Sequence, residues 1–246
     1  MVARYVLGLG SWTHCRCHVV PRILLRRGLH PAKVAVVPNT AEVSPGGFHS
    51  WVPTSDPYLI VLASLIERYG VQVAIRALKE LEPRWPRLTL RVLGDGELKP
   101  ALARLSADLG VADRVLFAGF LPWHAAMAQV SRAAIGLVPV IRDGYGELLL
   151  PTKLLEYVEI GVPVVASRLP TIEEHFPDGT VTYVEPGDPV ALAAGIDRIL
   201  RDPARASIQA RRAADAISGL RWKAVSARYV AALGLSALAS AIALSS

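Results

Sequence analysis

From Tyr58 onward, short apolar runs alternate with longer amphipathic stretches. Apolar runs bounded by turn residues predict buried β-strands at residues 58–64, 88–94, 114–119, 135–140, 162–167 and 181–186. Between them, apolar residues recur at helical spacing and predict helices at residues 71–85, 96–110, 123–133, 152–161, 171–176, 188–201 and 204–217. Strands that alternate with helices form a parallel sheet covered on both faces. The pattern therefore predicts an α/β fold, a Rossmann-like doubly wound parallel sheet that binds ligands at the carboxyl ends of its strands.

Several helix ends carry their own signals. Asp188 and Asp202 each precede a proline at a plausible first helical position, which is typical of helix N-caps. Gly110 lies just past the end of a predicted helix, where a left-handed residue is favoured. A last helix is expected to start near Trp222.

Residues 1–57 follow a different pattern. The end of a helix and a strand at residues 33–38 are predicted, and a linker-like stretch rich in proline, glycine and serine follows. This part of the chain is too short to form a second Rossmann-like domain.

Composition and charge narrow the class of protein. The chain has 246 residues, of which 52% are hydrophobic and 20% charged, as expected of a globular protein. Its net charge of +6 arises mainly in residues 1–50, which carry six basic side chains against the single acid Glu42. The remainder is nearly neutral, so we do not expect nucleic-acid binding. The basic segment could face an anionic membrane or a polyanion, or be a solvated surface whose partner is missing.

The two cysteines do not suggest a metal centre. Cys15 and Cys17 form a lone C-x-C pair flanked by His14 and His18. Zinc sites need about four ligands, and no second cluster follows at a matching spacing, so two ordinary thiols are expected. Few cysteines are typical of a reducing cytoplasm.

Neither end of the chain predicts a membrane span. The apolar run at the N-terminus is too short for a signal peptide. The C-terminal stretch 229–246 is apolar for about 17 residues, fewer than the about 20 that span a bilayer. A final helix with a frayed tail is the preferred interpretation.

Seven segments occur in an informative order. They are VVPNTAEV (36–43), LASLIERYG (62–70), LRVLGDGEL (90–98), DRVLFAGFLP (113–122), LVPV (137–140), LPTKLLEYVEIGVPVVAS (150–167) and VTYVEPGDPVALAAGIDRIL (181–200). Together they resemble the C-terminal, donor-binding half of glycosyltransferase family four, bacterial enzymes that build cell-surface polysaccharides and glycolipids. The resemblance covers residues 24–232 and implies one half of a GT-B fold.

The resemblance also implies an activity. Such enzymes transfer a sugar, with retention at the anomeric carbon, from a nucleoside-diphosphate donor such as a UDP- or GDP-sugar to a hydroxyl group. A saccharide or lipid-linked acceptor is therefore expected, in the cytoplasm or at the inner face of the plasma membrane. No cofactor and no metal ion are expected, because helix dipoles and cationic side chains stabilise the departing diphosphate.

Gly94 and Gly96 lie at a predicted strand end just before a helix. Glycines let the backbone approach a ligand closely, and a helix N-terminus attracts anions, although a plain tight turn explains the pair equally well. The resemblance implies that the two glycines line the donor cleft. The spacing is not G-x-G-x-x-G, so a nicotinamide cofactor is not indicated.

The segment Leu150–Pro151–Thr152 opens a predicted helix with Lys153 in its first turn. A cation at that end opposes the helix dipole, and an anion such as a diphosphate would relieve the conflict. We therefore predict that this helix start and Lys153 bind the donor diphosphate. The alternative is a solvated lysine with no function.

Glu156 lies one helical turn after Lys153. A carboxylate can accept two hydrogen bonds from a vicinal diol such as ribose. By position, Glu156 matches the second glutamate of the family's E-x7-E pattern, which implies that role. An ordinary ion pair with Lys153 is the alternative.

Three positions depart from the family pattern. The first glutamate would fall at Leu148, with Glu147 one residue away. The cations that usually grip the diphosphate would fall at Ser64 and Tyr69. Arg68 and Lys153 are the candidate replacements.

The segment after the strand at 114–119 is expected to face the nucleotide base through the backbone of Phe120 and Leu121. The side chains of Phe117 and Phe120 are interpreted as core, and Trp123 and Trp222 as packing residues.

The resemblance implies three parts: residues 1–52 as a remnant of an acceptor domain plus linker, 53–232 as the nucleotide-sugar domain, and 233–246 as a tail. Because most of an acceptor domain is absent, we expect weak donor binding and little transfer by this chain alone. A non-catalytic nucleotide-sugar-binding module or inactive fragment is the alternative. A sugar-nucleotide epimerase is a third hypothesis, but it needs catalytic groups in both halves.

Overall fold

The structure is a computed structural model that describes residues 13–15, 19–28, 30, 34–36, 38–40, 48, 51, 56–148, 150–222, 224–226 and 230. Cys17, His18, Glu42 and the tail 233–246 lie outside these residues, so the expectations for them stay predictions. The strands are β1 (Thr13–Cys15), β2 (Val34–Val36), β3 (Tyr58–Leu62), β4 (Thr89–Leu93), β5 (Val115–Gly119), β6 (Ile135–Val138), β7 (Val164–Ser167) and β8 (Thr182–Val184).

The helices follow the predicted positions, and most of them end earlier than predicted. They are α1 (Val19–Arg26), α2 (Val71–Leu81), α3 (Lys99–Asp108), α4 (Trp123–Val130), α5 (Thr152–Ile160), α6 (Pro170–Glu173), α7 (Pro189–Arg201) and α8 (Pro203–Ala216). The carboxylate of Asp188 accepts hydrogen bonds from two backbone amides of α7, and that of Asp202 accepts one from the amide of Arg205 in α8. Gly110 adopts a φ of 68° after α3, as predicted.

Within the described residues, β3 to β8 form one parallel sheet of six strands in the order β5-β4-β3-β6-β7-β8. Within this sheet the first strand, β3, is central, and β4 and β5 are added on one side of it. The chain then crosses over, and β6 pairs with the other side of β3. The strand order therefore reverses between β3 and β6, and the loops after these two strands diverge to leave a crevice. The predicted doubly wound fold is confirmed.

Two hydrophobic clusters cover the two faces of this sheet. On β3, Tyr58 and Ile60 belong to the cluster that includes α4, α5 and α6. Leu59 and Val61 belong to the cluster that includes α2, α3 and α7. Successive side chains of a strand point to opposite faces, so a strand buried on both faces has a continuous apolar run. Burial of each such side chain stabilises the fold by about 1.5–3 kcal/mol.

Helix α5 is positioned by one buried tyrosine. Tyr157 is fully buried, and its hydroxyl oxygen accepts a hydrogen bond of 2.8 Å from the backbone amide of Leu62 at the carboxyl end of β3. The ring also lies against Gly136 of β6, where a Cβ atom would approach it to within 2.4 Å. Glycine at position 136 thus allows α5 to pack close to the two central strands.

The N-terminal segment contributes a small separate sheet in which β1 pairs in parallel with β2. The predicted strand at 33–38 corresponds to β2, and the predicted helix end belongs to α1. Trp222, interpreted from the sequence as a packing residue, is 57% exposed. It follows Arg221, whose Nε atom lies 2.8 Å from the buried carboxylate of Glu159 on α5, so the chain covers this part of α5.

Substituting Gly136→Ala should destabilise the domain by about 1–3 kcal/mol, because the added methyl group has to displace the buried ring of Tyr157. Urea unfolding measures the loss. Gly110→Ala is the matched control, because its φ of 68° imposes a backbone cost of about 1–2 kcal/mol while no atom lies within 4 Å of the added Cβ. Equal stability of wild type and Gly136→Ala would contradict the proposed packing constraint.

Candidate functional site

The crevice at the strand reversal is bordered by the loops after β3 and β6. The backbone amide of Ile141 donates a hydrogen bond of 2.9 Å to the carbonyl of Arg68, which joins the two loops. The sequence-predicted residues Arg68, Lys153 and Glu156 all belong to the loops and the helix that follow these two central strands. The structure therefore gathers them at one edge of the sheet.

Arg68 is engaged in a local contact. Its Nε atom lies 2.6 Å from the Oδ2 atom of Asp143, and its guanidinium lies over the ring of Tyr145 at 4.6 Å. The other oxygen of Asp143 accepts hydrogen bonds from the amides of Tyr145 and Gly146, at 3.1 and 2.6 Å. The Gly146 amide and the Arg68 guanidinium both hold the pKa of Asp143 below its usual value. Arg68 thus braces the loop after β6.

The N-terminus of α5 presents backbone amides at the same edge. Pro151 precedes the helix with φ −68° and ψ 124°, and no side chain of the described residues caps the helix start. The side-chain amide of Asn39 donates a hydrogen bond of 2.8 Å to the carbonyl of Leu150. This contact connects the N-terminal segment to the loop that opens α5, and the uncapped amides form a favourable place for an anion.

Lys153 is buried, with only 8% of the residue exposed. Its ammonium lies 4.4 Å from the ring centroid of Tyr69 and has no hydrogen-bond partner among the described residues. Burial lowers the pKa of Lys153 to about 7, although the nearby carboxylate of Glu156 favours the charged form. The alternative of a solvated lysine is therefore wrong: the side chain packs under Tyr69 instead of extending into water.

Glu156 is half-buried on the next turn of α5. Its Oε1 atom accepts a hydrogen bond of 3.3 Å from the indole nitrogen of Trp123. Burial raises the pKa of Glu156, while Trp123 and the charge of Lys153 lower it. Because the ammonium of Lys153 forms no hydrogen bond, the two groups interact through space and not as a hydrogen-bonded pair.

A second part of the crevice is an apolar cavity of about 330 Å3 between the ends of β3, β4 and β5. Its lining includes Ser64, Gly94, Phe120 and Leu121, but not Lys153 or Glu156. The predicted donor-site residues thus fall into two groups. The loop after β3 joins them, because Ser64 lines the cavity and Tyr69 covers Lys153.

The two glycines after β4 are required by close backbone packing. A Cβ atom on Gly94 would lie 1.9 Å from the carbonyl oxygen of Ala63, and one on Gly96 would lie 2.7 Å from the backbone of Leu65. The amide of Gly94 donates to the carbonyl of Gly119 at 2.8 Å. These contacts bring the ends of three strands together and shape the cavity.

Phe120 is 84% exposed, so its interpretation as a core residue is wrong. It follows Gly119, whose φ of 71° ends β5 and turns the chain outward at the mouth of the cavity. Phe117 is partly buried against the cluster beneath α2, and Trp123 packs against the cluster on the opposite face. Trp123 also orients Glu156, a contact that periodicity alone does not reveal.

Tyr69 and Asn39 are the other site residues that sequence reasoning did not select. A signal for Tyr69 was present, since it occupies a position where the family pattern has a cation. Within the part of the chain that the structure describes, no group of three or more His, Cys, Asp or Glu side chains could hold a metal ion. None of the helices described there combines the length and apolar character needed to cross a membrane.

Comparison with known proteins agrees with the fold. The profile of the family described as glycosyl transferases group 1 matches residues 56–202. A GDP-mannose-dependent α-(1-6)-phosphatidylinositol monomannoside mannosyltransferase from Mycolicibacterium smegmatis is 34% identical over 169 residues, which are 68% of this chain and 43% of that protein. The chain thus spans less than half the length of this relative.

Two solved structures share the fold. TarM from S. aureus, crystallised with UDP among its ligands, superposes with a TM-score of 0.79 at 11% identity, over 94% of this chain and 46% of TarM. HepE from Anabaena, in complex with UDP and glucose, superposes with a TM-score of 0.78 at 18% identity, over 94% of this chain and 66% of HepE. At these identities the likeness shows the fold alone, which is that of a GT-B glycosyltransferase domain.

The buried ammonium predicts a pH dependence of stability. Lys153 has a pKa of about 7 in the folded protein against 10.5 as its ordinary value, so between these values the unfolded chain binds more protons. The free energy of unfolding should therefore rise with pH across this range, by up to about 1.4 kcal/mol per pH unit. Urea unfolding from about pH 7 to pH 10 measures the slope.

Lys153→Met should remove this slope and raise stability near neutral pH, because no charge is then buried. Lys99→Met is the control, since the Lys99 side chain is exposed beside Asp95. Identical slopes in wild type and Lys153→Met would show that Lys153 is not a buried amine with a lowered pKa.

Proposed function

Because the chain belongs to the family of glycosyl transferases group 1, we propose that its six-stranded domain binds a nucleoside-diphosphate sugar and supports retaining transfer of the sugar to a hydroxyl acceptor. The mycobacterial relative is named as GDP-mannose-dependent, and the two structural neighbours contain UDP. Both bases are therefore candidates. Membership of family four in particular is part of this proposal.

The observation that carries the proposal is the unpaired ammonium of Lys153 beside the uncapped start of α5. A buried amine without a hydrogen-bond partner is unfavourable unless a partner arrives. A diphosphate at the helix start would supply that partner and also accept hydrogen bonds from the amides around Pro151 and Thr152. In this role Lys153 stabilises the charge that develops on the departing diphosphate.

Glu156 is proposed to hold the ribose of the donor. Trp123 occupies part of the hydrogen-bonding capacity of Oε1, which leaves Oε2 to accept from a sugar hydroxyl. Glu156 lies one helical turn beyond the proposed diphosphate site. This spacing suits the donor, because its ribose is bonded directly to the diphosphate. Trp123 then acts as a positioning residue for this carboxylate.

The base is proposed to enter the apolar cavity. Gly94 lines its wall, and the backbone at Phe120 and Leu121 forms its rim. Gly96 is not a lining residue and packs against the backbone of Leu65 instead. The exposed ring of Phe120 is available to cover an aromatic base. We propose no metal requirement, because cationic and dipolar groups are already present at the helix start.

Arg68 is proposed to position the donor site without contacting the diphosphate directly. Its ion pair with Asp143 braces the loop that leads from β6 to α5. This differs from the expectation that Arg68 replaces a phosphate-binding cation.

The acceptor is proposed to be a saccharide or a lipid-linked hydroxyl, approached in the cytoplasm or at the inner face of the plasma membrane. Contacts to the acceptor would come from residues outside the six-stranded domain. Peripheral membrane association is part of this proposal and follows from the basic N-terminal segment.

A non-catalytic nucleotide-sugar-binding module is the second candidate. It is favoured by Leu148, which places an apolar side chain where the family pattern has a carboxylate. Incubation with a labelled donor and a hydroxyl acceptor, followed by product analysis, separates the two functions. If the protein binds the donor but neither transfers its sugar nor hydrolyses it, the binding-module function is supported.

Calorimetry with UDP, GDP and ADP tests donor binding. We expect one of these nucleotides to bind, and Glu156→Ala to weaken its binding by about tenfold or more, since a hydrogen bond to a charged group contributes about 1.5–3 kcal/mol. Glu156→Gln should lose nearly as much because the charge is removed. Glu80→Ala, at an exposed position of α2, is the control and should bind normally. No binding of any nucleotide by the wild-type chain would refute the proposal.

Nucleotide binding should also take up a proton near neutral pH. A bound diphosphate favours the charged form of Lys153, whose pKa is lowered to about 7 in the free protein. Affinity should therefore fall as the pH rises from about 7 to 9, by up to about tenfold per pH unit. Calorimetry in buffers of different ionisation enthalpy counts the protons. Lys153→Met should bind weakly at every pH with no such uptake; uptake that persists in this variant would exclude Lys153 as the responsive group.

A further inference from the structure

A polar cleft separate from the donor crevice lies beside β8, which is the edge strand at the other side of the sheet from β5. It has a volume of about 180 Å3 and runs beside β8 and the junction of α7 with α8. Its charged lining consists of three arginines and two aspartates, namely Arg168, Arg198, Arg205, Asp178 and Asp202, and Tyr183, Thr182 and Gln209 add polar groups. We call it the arginine cleft. Because β8 is the last strand of the sheet, the cleft is two strands away from β6 and separate from the donor crevice.

Arg168 is held in place on one wall. Its guanidinium pairs with Glu173 at 2.6 Å and with Asp178 at 3.1 Å, and it lies 4.4 Å from the ring centroid of Tyr183. The hydroxyl of Tyr183 donates to the carbonyl of Phe176 at 2.7 Å, which fixes the ring. The charge of Arg168 is therefore already neutralised by its partners, and this residue gives the cleft its shape.

Arg198 and Arg205 differ from Arg168. Neither takes part in any ion pair found among the described residues. By contrast, the neighbouring Arg201 and the more distant Arg84 share the carboxylate of Asp197, at 3.1 and 2.7 Å. Within the part of the chain that the structure describes, Arg198 and Arg205 thus line one cleft without forming an ion pair, although Arg201 uses a carboxylate partner nearby.

Local geometry adds to this unbalanced charge. Arg205 lies in the first turn of α8, where a cation opposes the helix dipole. The carboxylate of Asp202 accepts a hydrogen bond of 3.0 Å from the backbone amide of Arg205, so one of its oxygens is occupied as a helix cap. The Oε1 atom of Gln209 accepts from the hydroxyl of Thr182 at 3.2 Å, which leaves the amide nitrogen of Gln209 to donate.

We propose that the arginine cleft binds a phosphate group, either as a free phosphate or as the headgroup of an anionic lipid. Two guanidinium groups and a side-chain amide supply donors that match phosphate oxygens. The cleft is smaller than the about 300–1,000 Å3 of ordinary ligand pockets, which favours a phosphate group over a whole nucleotide. This site does not depend on the donor-site proposal.

Nuclear magnetic resonance of the full chain, titrated with inorganic phosphate against chloride at equal ionic strength, tests the proposal. Phosphate should shift the backbone amides of residues 178–183 and 202–209 in the wild type. The variant Arg198→Ala/Arg205→Ala should weaken this binding by about tenfold or more, since charge-assisted hydrogen bonds are lost. Arg76→Ala/Arg104→Ala, at exposed positions of α2 and α3, is the matched control and should bind phosphate normally.

Thermal unfolding of all the variants verifies that they are folded. Shifts confined to the start of α5, or equal phosphate affinity in wild type and Arg198→Ala/Arg205→Ala, would overturn the proposal. Neither result would affect the donor-site proposal, which nucleotide binding tests independently.

Sedimentation with vesicles separates the two sources of phosphate. Vesicles of phosphatidylcholine alone are compared with vesicles that also contain phosphatidylglycerol. Binding only to the anionic vesicles, lost in Arg198→Ala/Arg205→Ala and displaced by inorganic phosphate, assigns the cleft to a lipid headgroup. Phosphate binding without vesicle binding assigns it to a free phosphate. Absence of both kinds of binding overturns the proposal.

Discussion

The site depends on one electrostatic constraint, the burial of the Lys153 ammonium under Tyr69 beside the positive end of α5. Burial and the helix dipole both disfavour the charged amine, while the ring of Tyr69 and the carboxylate of Glu156 favour it. These opposing contributions bring the pKa near neutrality. A lysine in this balance responds strongly to an arriving anion, because a single added negative charge changes which form is stable.

That balance requires α5 to lie close to the centre of the sheet. Tyr157 supplies the connection through its hydrogen bond to Leu62 and its contact with Gly136. The helix start then reaches the crevice where the strand order reverses, and Asn39 and Arg68 hold the loops on either side of it. The fold thus places the ammonium of Lys153 at the crevice, where it supplies a positive charge.

The departures from the family pattern can be understood in the same terms. The resemblance implies a cation at the position of Tyr69 in the loop after β3, and in this chain the ammonium of Lys153 lies 4.4 Å from the centroid of that ring. Next to Leu148, the carboxylate of Glu147 pairs with Arg142 at 3.1 Å. The described residues thus supply a cation beside Tyr69, whereas Glu147 is engaged with Arg142 and does not supply the carboxylate expected at position 148.

The sequence by itself determined the strands, the helices, their caps and the doubly wound class, because these follow from local periodicity and turn chemistry. It also indicated Lys153 and Glu156 through their place on α5. Only the tertiary structure decided that Lys153 is buried under Tyr69, that Trp123 orients Glu156, and that Phe120 and Trp222 are exposed. Burial and pairing depend on contacts between residues far apart in the chain, and a pattern of neighbouring residues cannot specify them.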